Sequence, residues 1–223
     1  MDLPLYAVIT GDIRKSTGLA AADLVRLPDV LKEIFNELNH LLEKKGQWVK
    51  YSIFRGDSFQ LLLNPSFALH AALFVRAGLR AAYPSTLASA VDCRLGIAIN
   101  SIENLHDNIT ESTGEAFTQS GRLLESLKKS FLMAIQTPIP SITSELNTEL
   151  ALCDELVKRW TSSQARLVPF LLSDDLQTSI AQQTGISQAA VAKKIQIMGW
   201  QAIELLLMRY LELSSNMSLK NNG

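Results

Sequence analysis

Short apolar runs and longer amphipathic segments alternate along the first 138 residues. Three segments repeat apolar residues at helical spacing, and a glycine or proline closes the first two. They are residues 28–45, 66–82 and 114–129. Five runs have the length and composition of strands: 5–11, 48–54, 58–63, 91–99 and 131–136. The resulting order of strands and helices predicts an α+β fold, with helices packed on a mixed sheet of ferredoxin-like type.

The pattern changes after residue 138. Pro138, Pro140 and the run PSITSE predict a domain boundary. Beyond it the strand pattern disappears, and residues 145–215 contain about five helical segments. We therefore expect an α+β domain over residues 1–138 and an all-α domain over residues 145–216.

Residues 177–200, QTSIAQQTGISQAAVAKKIQIMGW, have the spacing of a helix-turn-helix. Ala181 lets two helices cross closely, Gly185 permits a left-handed turn, and Val191 faces back into the core. The second helix would present its outer face to the major groove of DNA, where glutamine suits adenine and alanine suits a thymine methyl. The predicted DNA-binding residues are Ser187, Gln188, Ala189, Lys193, Lys194 and Gln196.

A helical interaction module that never contacts DNA is the alternative. From residue 150 onward the chain carries seven Lys and Arg against six Asp and Glu, which is hardly a basic domain. A single helix-turn-helix should also bind DNA weakly, so we expect a homodimer.

Overall composition narrows the classes of protein. The net charge of −1 provides no general attraction to nucleic acid or to anionic membranes. Cys93 and Cys153 are far apart in the sequence, which argues against a disulfide framework and fits a reducing compartment. The N-terminus lacks a signal-peptide pattern, and no apolar run approaches 18 residues. We expect a cytoplasmic protein without a membrane partner.

Two aspartates follow strand segments in the first part of the chain. Asp12 comes after the strand at 5–11, and Asp57 lies on the turn of the hairpin FRGDSF. If the first strand lies beside that hairpin, the carboxylates meet at one edge and repel unless a cation joins them or one is protonated. Mg²⁺ or Mn²⁺ held there would complete its shell with water and nucleotide phosphates. Alternatively, Asp12 caps the next segment and Asp57 satisfies the turn.

The segment GEAFTQSGRLL, residues 114–124, adds a third element. A glycine at the start of a helix lets phosphate approach backbone donors, and the Arg122 guanidinium suits phosphate oxygens. The alternative for Arg122 is a solvated or ion-paired residue on a helix surface.

These segments resemble a known family. ITGDIRKST, FRGDSFQLL, CRLGIAIN and GEAFTQSGRL occur in the order found in class III nucleotide cyclase domains. The chain more closely resembles the SatD family, small bacterial proteins of poorly defined function. These begin much like YAVITGDIRKS, continue with G-D-[ES]-F-Q and G-x-A-F, and end in a helix-turn-helix. The resemblance covers nearly the whole chain and implies a cyclase-like domain fused to a DNA-binding one.

The cyclase resemblance implies roles for individual residues. Asp12 and Asp57 would hold the metal, and Arg122 would contact phosphate oxygens in the transition state. Two positions depart from active cyclases: the expected asparagine is Thr118, and the expected base-selecting lysine is Ile53. Losing one oriented donor can cost about 10² to 10³ in rate, so the resemblance supports phosphate binding better than cyclisation. The implied ligand-binding set is Asp12, Ile13, Gly56, Asp57, Gly114, Thr118 and Arg122.

Two functional hypotheses follow. In the first, a degenerate cyclase-like domain senses a nucleotide or phosphate ligand and the helix-turn-helix binds DNA. In the second, the domain is a metal-dependent nucleotidyl cyclase or transferase with a regulatory tail. A scaffold with neither activity is a third possibility.

Overall fold

The computed structural model describes residues 4–14, 20–83 and 90–220, with side chains described to residue 217. The strands are β1 (Leu5–Arg14), β2 (Val49–Phe54), β3 (Ser58–Leu63), β4 (Asp92–Ser101) and β5 (Met133–Gln136). The first four helices are α1 (Ala21–Glu43), α2 (Ala68–Ala82), α3 (Glu115–Ser126) and α4 (Pro140–Val157). The others are α5 (Ser162–Ala165), α6 (Val168–Leu172), α7 (Gln177–Thr184), α8 (Gln188–Ile197) and α9 (Trp200–Lys220).

The five strands form one mixed sheet in the order β2-β3-β1-β4-β5. Central β1 is antiparallel to β3 and β4, and β5 is parallel to β4. The first four strands follow the order of a βαββαβ unit, and α3 connects β4 to the added β5. The α+β prediction is confirmed.

Helices cover both faces of the sheet. Because side chains alternate along a strand, Ala7 and Ile9 of β1 join the large core with α1 and α2, whereas Val8 faces the other side. Helix α3 lies on that second face, where Thr10 and Ser120 hydroxyls are 2.8 Å apart. A Cβ added at Gly96 would lie 2.3 Å from the Ser120 carbonyl oxygen, so glycine allows α3 to pack directly on β4.

Helix α1 begins seven residues earlier than the pattern predicts, at Ala21 rather than Pro28. Proline cannot donate the hydrogen bond to the residue four positions earlier. That residue is Leu24, which is 39% exposed and lies in the first turn of the helix, so the lost hydrogen bond falls near the helix start at the protein surface. Residues 15–19 of the predicted loop before α1 lie outside the described residues.

The predicted boundary segment 140–145 forms the start of α4, with Pro140 in the first turn. Proline is tolerated there because the first helical N–H groups have no partner within the helix. The described part of residues 140–220 contains six α-helices, one more than expected. Leu146 and Leu150 of α4 share a buried cluster with Leu95 and Ile135 of the sheet. The domain limits at 138 and 145 remain a prediction.

A buried charged cluster also joins the two parts of the chain. Arg76 of α2 contacts Asp92 of β4 through Nε, at 2.9 Å, and Asp154 of α4 through Nη1, at 2.5 Å. Arg80 contacts Asp92 at 2.9 Å and donates to the Trp160 carbonyl. Burial alone would raise the pKa of Asp92, but the guanidinium groups lower it below its usual value.

Candidate functional site

The sheet brings Asp12 and Asp57 to the same edge. Asp12 pairs with Ser58 across β1 and β3, and the next backbone N–H, that of Ile13, donates to the Asp57 carbonyl at 2.9 Å. The Ile13 side chain is 5% exposed and belongs to the core, so its backbone alone lies at this edge. The backbones of Asp12 and Asp57 are therefore adjacent, and the meeting of their carboxylates at a metal stays a prediction.

The hairpin connection consists of three residues, Arg55 to Asp57. Phe54 and Ser58 are the last paired residues of β2 and β3. Arg55 and Gly56 have φ angles of 56° and 80°. Glycine adopts this left-handed backbone readily, but an arginine does so at a cost. The Ser58 hydroxyl donates to the Asp57 carboxylate at 3.4 Å.

Arg94, directly opposite Asp12 on β4, holds the carboxylate of Asp12. Its Nε donates to Oδ1 at 3.0 Å and its Nη2 to Oδ2 at 2.5 Å, a two-pronged ion pair with both side chains 30% exposed. The hydrogen bond to Asp12 raises the pKa of Arg94. The sequence did not assign Arg94 a role, because its pairing depends on the register of two strands 82 residues apart.

The donor set at this edge does not fit a preformed metal site. Both Asp12 oxygens accept hydrogen bonds from Arg94, and a cation would have to displace that guanidinium. Within the described ranges, no group of three or more His, Cys, Asp or Glu side chains is placed to hold a metal ion. Mg²⁺ or Mn²⁺ at Asp12 and Asp57 remains a prediction.

Gly114 lies at the other end of the sheet. A Cβ at this position would be 3.0 Å from the Ser101 carbonyl, and Ser101 pairs with Leu5. Asp12 is seven residues further along β1, a separation of about 24 Å at the rise of a strand. This close backbone approach gives Gly114 a packing role, and its predicted phosphate contact is remote from Asp12 within one chain.

Thr118 and Arg122 lie on the outer side of α3. Both are exposed, whereas Ser120 between them is buried against Thr10 of the sheet. The Thr118 hydroxyl is 3.5 Å from the Gly114 carbonyl of its own helix. The side chains of Thr118 and Arg122 therefore point away from the sheet of their own chain.

Helices α7 and α8 follow the predicted helix-turn-helix boundaries. Gly185 ends α7 with φ of 69°, and the Ser187 hydroxyl accepts a hydrogen bond from the Ala190 N–H at 3.2 Å. Leu167, Ile180 and Val191 form a separate buried cluster beneath the two helices. The local sequence thus determines this unit through its turn glycine, its cap and its small core.

The outer face of α8 is polar and accessible. Gln188, Ala189, Lys193 and Gln196 are exposed, as is Ser187 at the cap. Lys194 instead points to α5, where its Nζ donates to the Ser163 hydroxyl at 2.7 Å. The sequence could not separate Lys193 from Lys194, since the position of α5 depends on tertiary packing.

No helix in the described part of the chain is long and apolar enough to cross a membrane.

Comparison with known proteins gives matches among solved structures alone. No protein-family model and no curated protein matches the chain. A solved bacterial light-regulated adenylyl cyclase is 16% identical, with a TM-score of 0.41 over 60% of this chain and 43% of that chain. The guanylyl cyclase domain of the RhoGC fusion protein from the aquatic fungus Blastocladiella emersonii is 13% identical, with a TM-score of 0.39 over 60% of this chain and 81% of that chain. The chain thus spans less than half of the light-regulated cyclase, and likeness at this level does not identify a substrate or activity.

Proposed function

We propose that this protein is a DNA-binding regulator. Its sheet domain, a degenerate relative of the nucleotide cyclases, senses a nucleotide or another phosphate ligand, and its α7–α8 unit binds DNA. The observation that carries the proposal is the Asp12–Arg94 ion pair. In it, the guanidinium of Arg94 binds the carboxylate that was predicted to hold a metal. That arrangement favours ligand binding over metal-dependent turnover, as does threonine at position 118.

The DNA-binding half rests on α8. Its capped N-terminus and its exposed Gln188, Lys193 and Gln196 form a polar face of the kind that enters a major groove. The resemblance of the whole chain to the SatD family, which ends in a helix-turn-helix, points the same way. Because Lys194 is bonded to Ser163, Lys193 is the stronger candidate for a DNA contact.

We also propose a homodimer. One α8 offers a small contact area, and two copies would read two half-sites. Thr118 and Arg122 face away from the sheet of their own chain, so a second copy could present them to a bound ligand. Mg²⁺ or Mn²⁺ would bind at such a site only if the ion pair between Asp12 and Arg94 broke and freed the Asp12 carboxylate.

Selection of duplexes from a randomised DNA pool would test the regulator directly. Lys193→Gln should weaken binding to the selected duplex and reduce its salt dependence by about one phosphate contact. Lys129→Gln, an exposed lysine three residues after α3, is the matched control and should bind normally. Failure to enrich any duplex, with and without nucleotides, would contradict the DNA-binding role.

A metal-dependent nucleotidyl cyclase or transferase is the second candidate function. The observation in its favour is the meeting of Asp12 and Asp57 at one sheet edge. It requires release of Asp12 by Arg94, and product formation from a nucleoside triphosphate would establish it.

A further inference from the structure

We propose that Arg14 and Arg55 form a metal-independent binding site for a chain of phosphate groups at the Asp12–Asp57 edge. This inference rests on the proposed function and specifies its ligand chemistry: an oligophosphate, such as the phosphate chain of a nucleotide, held by guanidinium groups. Both arginines lie within the cyclase-like segments quoted above, but the resemblance assigned no role to either of them.

Strand register places the two arginines together. Arg14 ends β1 two residues beyond Asp12, and side chains two apart lie on the same face of a strand. Continuing the β1–β3 pairing past Asp12 and Ser58 brings Arg14 opposite Gly56, next to Arg55 at the hairpin tip. Arg55 follows β2, and β3 lies between β2 and β1. Adjacent strands are about 4.8 Å apart, so the two arginine backbones are separated by roughly two strand spacings at most, which two long side chains can bridge through neighbouring phosphates.

The charge at this edge favours an anion. Arg94 and Asp12 neutralise each other, and Asp92, which lies opposite Arg14 on β4, is paired with Arg76 and Arg80. Among the described residues this leaves Arg14 and Arg55 beside the carboxylate of Asp57. Both arginines are exposed, and neither has an ion pair or side-chain hydrogen bond within the part of the chain that the structure describes. Guanidinium groups bind phosphate oxygens in two-pronged geometry, and such charge-assisted contacts are the stronger hydrogen bonds.

The backbone of Arg55 is an independent observation. Its φ of 56° beside Gly56 is a conformation that asparagine or glycine adopts at lower cost. Strained residues of this kind occur preferentially at ligand sites. Arg55→Asn should therefore leave the hairpin as stable as before, or more stable, while it removes the guanidinium.

Calorimetric titration with sodium tripolyphosphate in EDTA, at low ionic strength, tests this site. The full chain should bind the probe, and Arg14→Gln or Arg55→Asn should each weaken binding about tenfold, the factor expected from one charge-assisted contact. Arg159→Gln, an exposed arginine after α4, is the control and should bind like the wild type. Thermal melting should show that Arg55→Asn is not destabilised.

Two results would overturn the inference: tripolyphosphate binding that disappears in EDTA, or equal affinity in the arginine variants and the control. Titration of the same proteins with ATP and GTP in Mg²⁺ separates this failure from failure of the proposed function. Normal nucleotide binding in every arginine variant would refute the arginine site and leave the sensor intact. Absence of binding to nucleotides and tripolyphosphate alike would refute both.

Discussion

At the scale of single residues, the partner of Asp12 determines what the sheet edge can do. The sequence identified Asp12 and Asp57 because each follows a strand pattern, and the sheet brings them together. It did not identify Arg94 as the partner of Asp12, because that pairing depends on which residues of β1 and β4 face each other. The register between two strands depends on the whole sheet, so the apolar pattern of either strand does not predict it.

Removal of Arg94 should make the edge a better cation site. In Arg94→Gln, the oxygens of Asp12 lose their cationic partner, and two carboxylates at one edge then attract a divalent ion. Mn²⁺ binding, followed by electron paramagnetic resonance, should be tighter in Arg94→Gln than in the wild type. Adding Asp57→Asn should reverse the gain, and equal Mn²⁺ affinity in wild type and Arg94→Gln would contradict this role for the ion pair.

At the scale of elements, apolar periodicity located every strand and the helices of the first part, but not all of their ends. Helix α1 continues through Pro28 to an earlier start, and α4 occupies the segment predicted as a boundary. A proline in a sequence predicts the end of a helix because it lacks a backbone N–H. The helix can still continue where the proline lies near its start or where water binds the carbonyl left without a partner. Tertiary surroundings, which a local pattern does not contain, decide between these outcomes.

We expect His70 of α2 to make the stability of the fold depend on pH. It lies in a cavity of about 400 Å³ with Trp200 of α9 and with Lys45 and Asp174, which form an ion pair at 3.0 Å. Its Nδ1 is buried without a hydrogen-bond partner among the described residues. Burial, and to a smaller extent the charge of Lys45, lower the pKa of His70 to about 4 against the opposing effect of Asp174.

Below the unfolded pKa of about 6.5, the histidine of the unfolded chain binds a proton while the folded one stays neutral. The free energy of unfolding contributed by His70 is therefore fully present above pH 6.5 and is lost as the pH falls toward 4. Between pH 7.5 and 5 the wild type should lose about 2 kcal/mol of unfolding free energy from this group. Urea denaturation should show a shallower pH dependence for His70→Leu. His106→Gln, an exposed histidine, should retain the wild-type slope, and a His70→Leu slope equal to it would contradict the assignment.

At the scale of the whole molecule, contacts between distant segments hold the chain together. The large buried cluster includes residues of the sheet, of α2, of α4 and of α9. Tyr210 of α9 donates to the Pro65 carbonyl at 2.5 Å, and Asp154 of α4 accepts hydrogen bonds from Leu132 and Met133 beside β5. These pairings join residues that composition and local spacing treat as separate domains, so the sequence did not predict them.

Asp154→Asn should destabilise both parts of the chain together. The amide cannot replace a carboxylate that receives Arg76 on one oxygen and two backbone N–H groups on the other. Breaking a fully buried ion pair costs about 3–5 kcal/mol. Denaturation followed by far-UV circular dichroism and tryptophan fluorescence should show one earlier transition by both signals.

Glu145→Gln is the control for that change. Glu145 pairs with Arg209 at 2.9 Å on the surface, with side chains 39% and 45% exposed, and such pairs contribute less than about 1 kcal/mol. Two separate transitions in Asp154→Asn, with only one displaced, would show that the parts unfold independently.

The central claim is that the sheet edge binds a phosphate ligand without turning it over. The most direct measurement incubates the purified protein with each nucleoside triphosphate and Mg²⁺ or Mn²⁺, beside Asp57→Asn, and identifies bound ligands and products by mass spectrometry. We predict bound, unchanged nucleotide in the wild type and retained binding in Asp57→Asn, because the proposed arginine site holds the phosphates without that carboxylate. A cyclic nucleotide or other product that disappears in Asp57→Asn would show that the protein is an enzyme and contradict the claim. The absence of any bound nucleotide would contradict the nucleotide-sensing role.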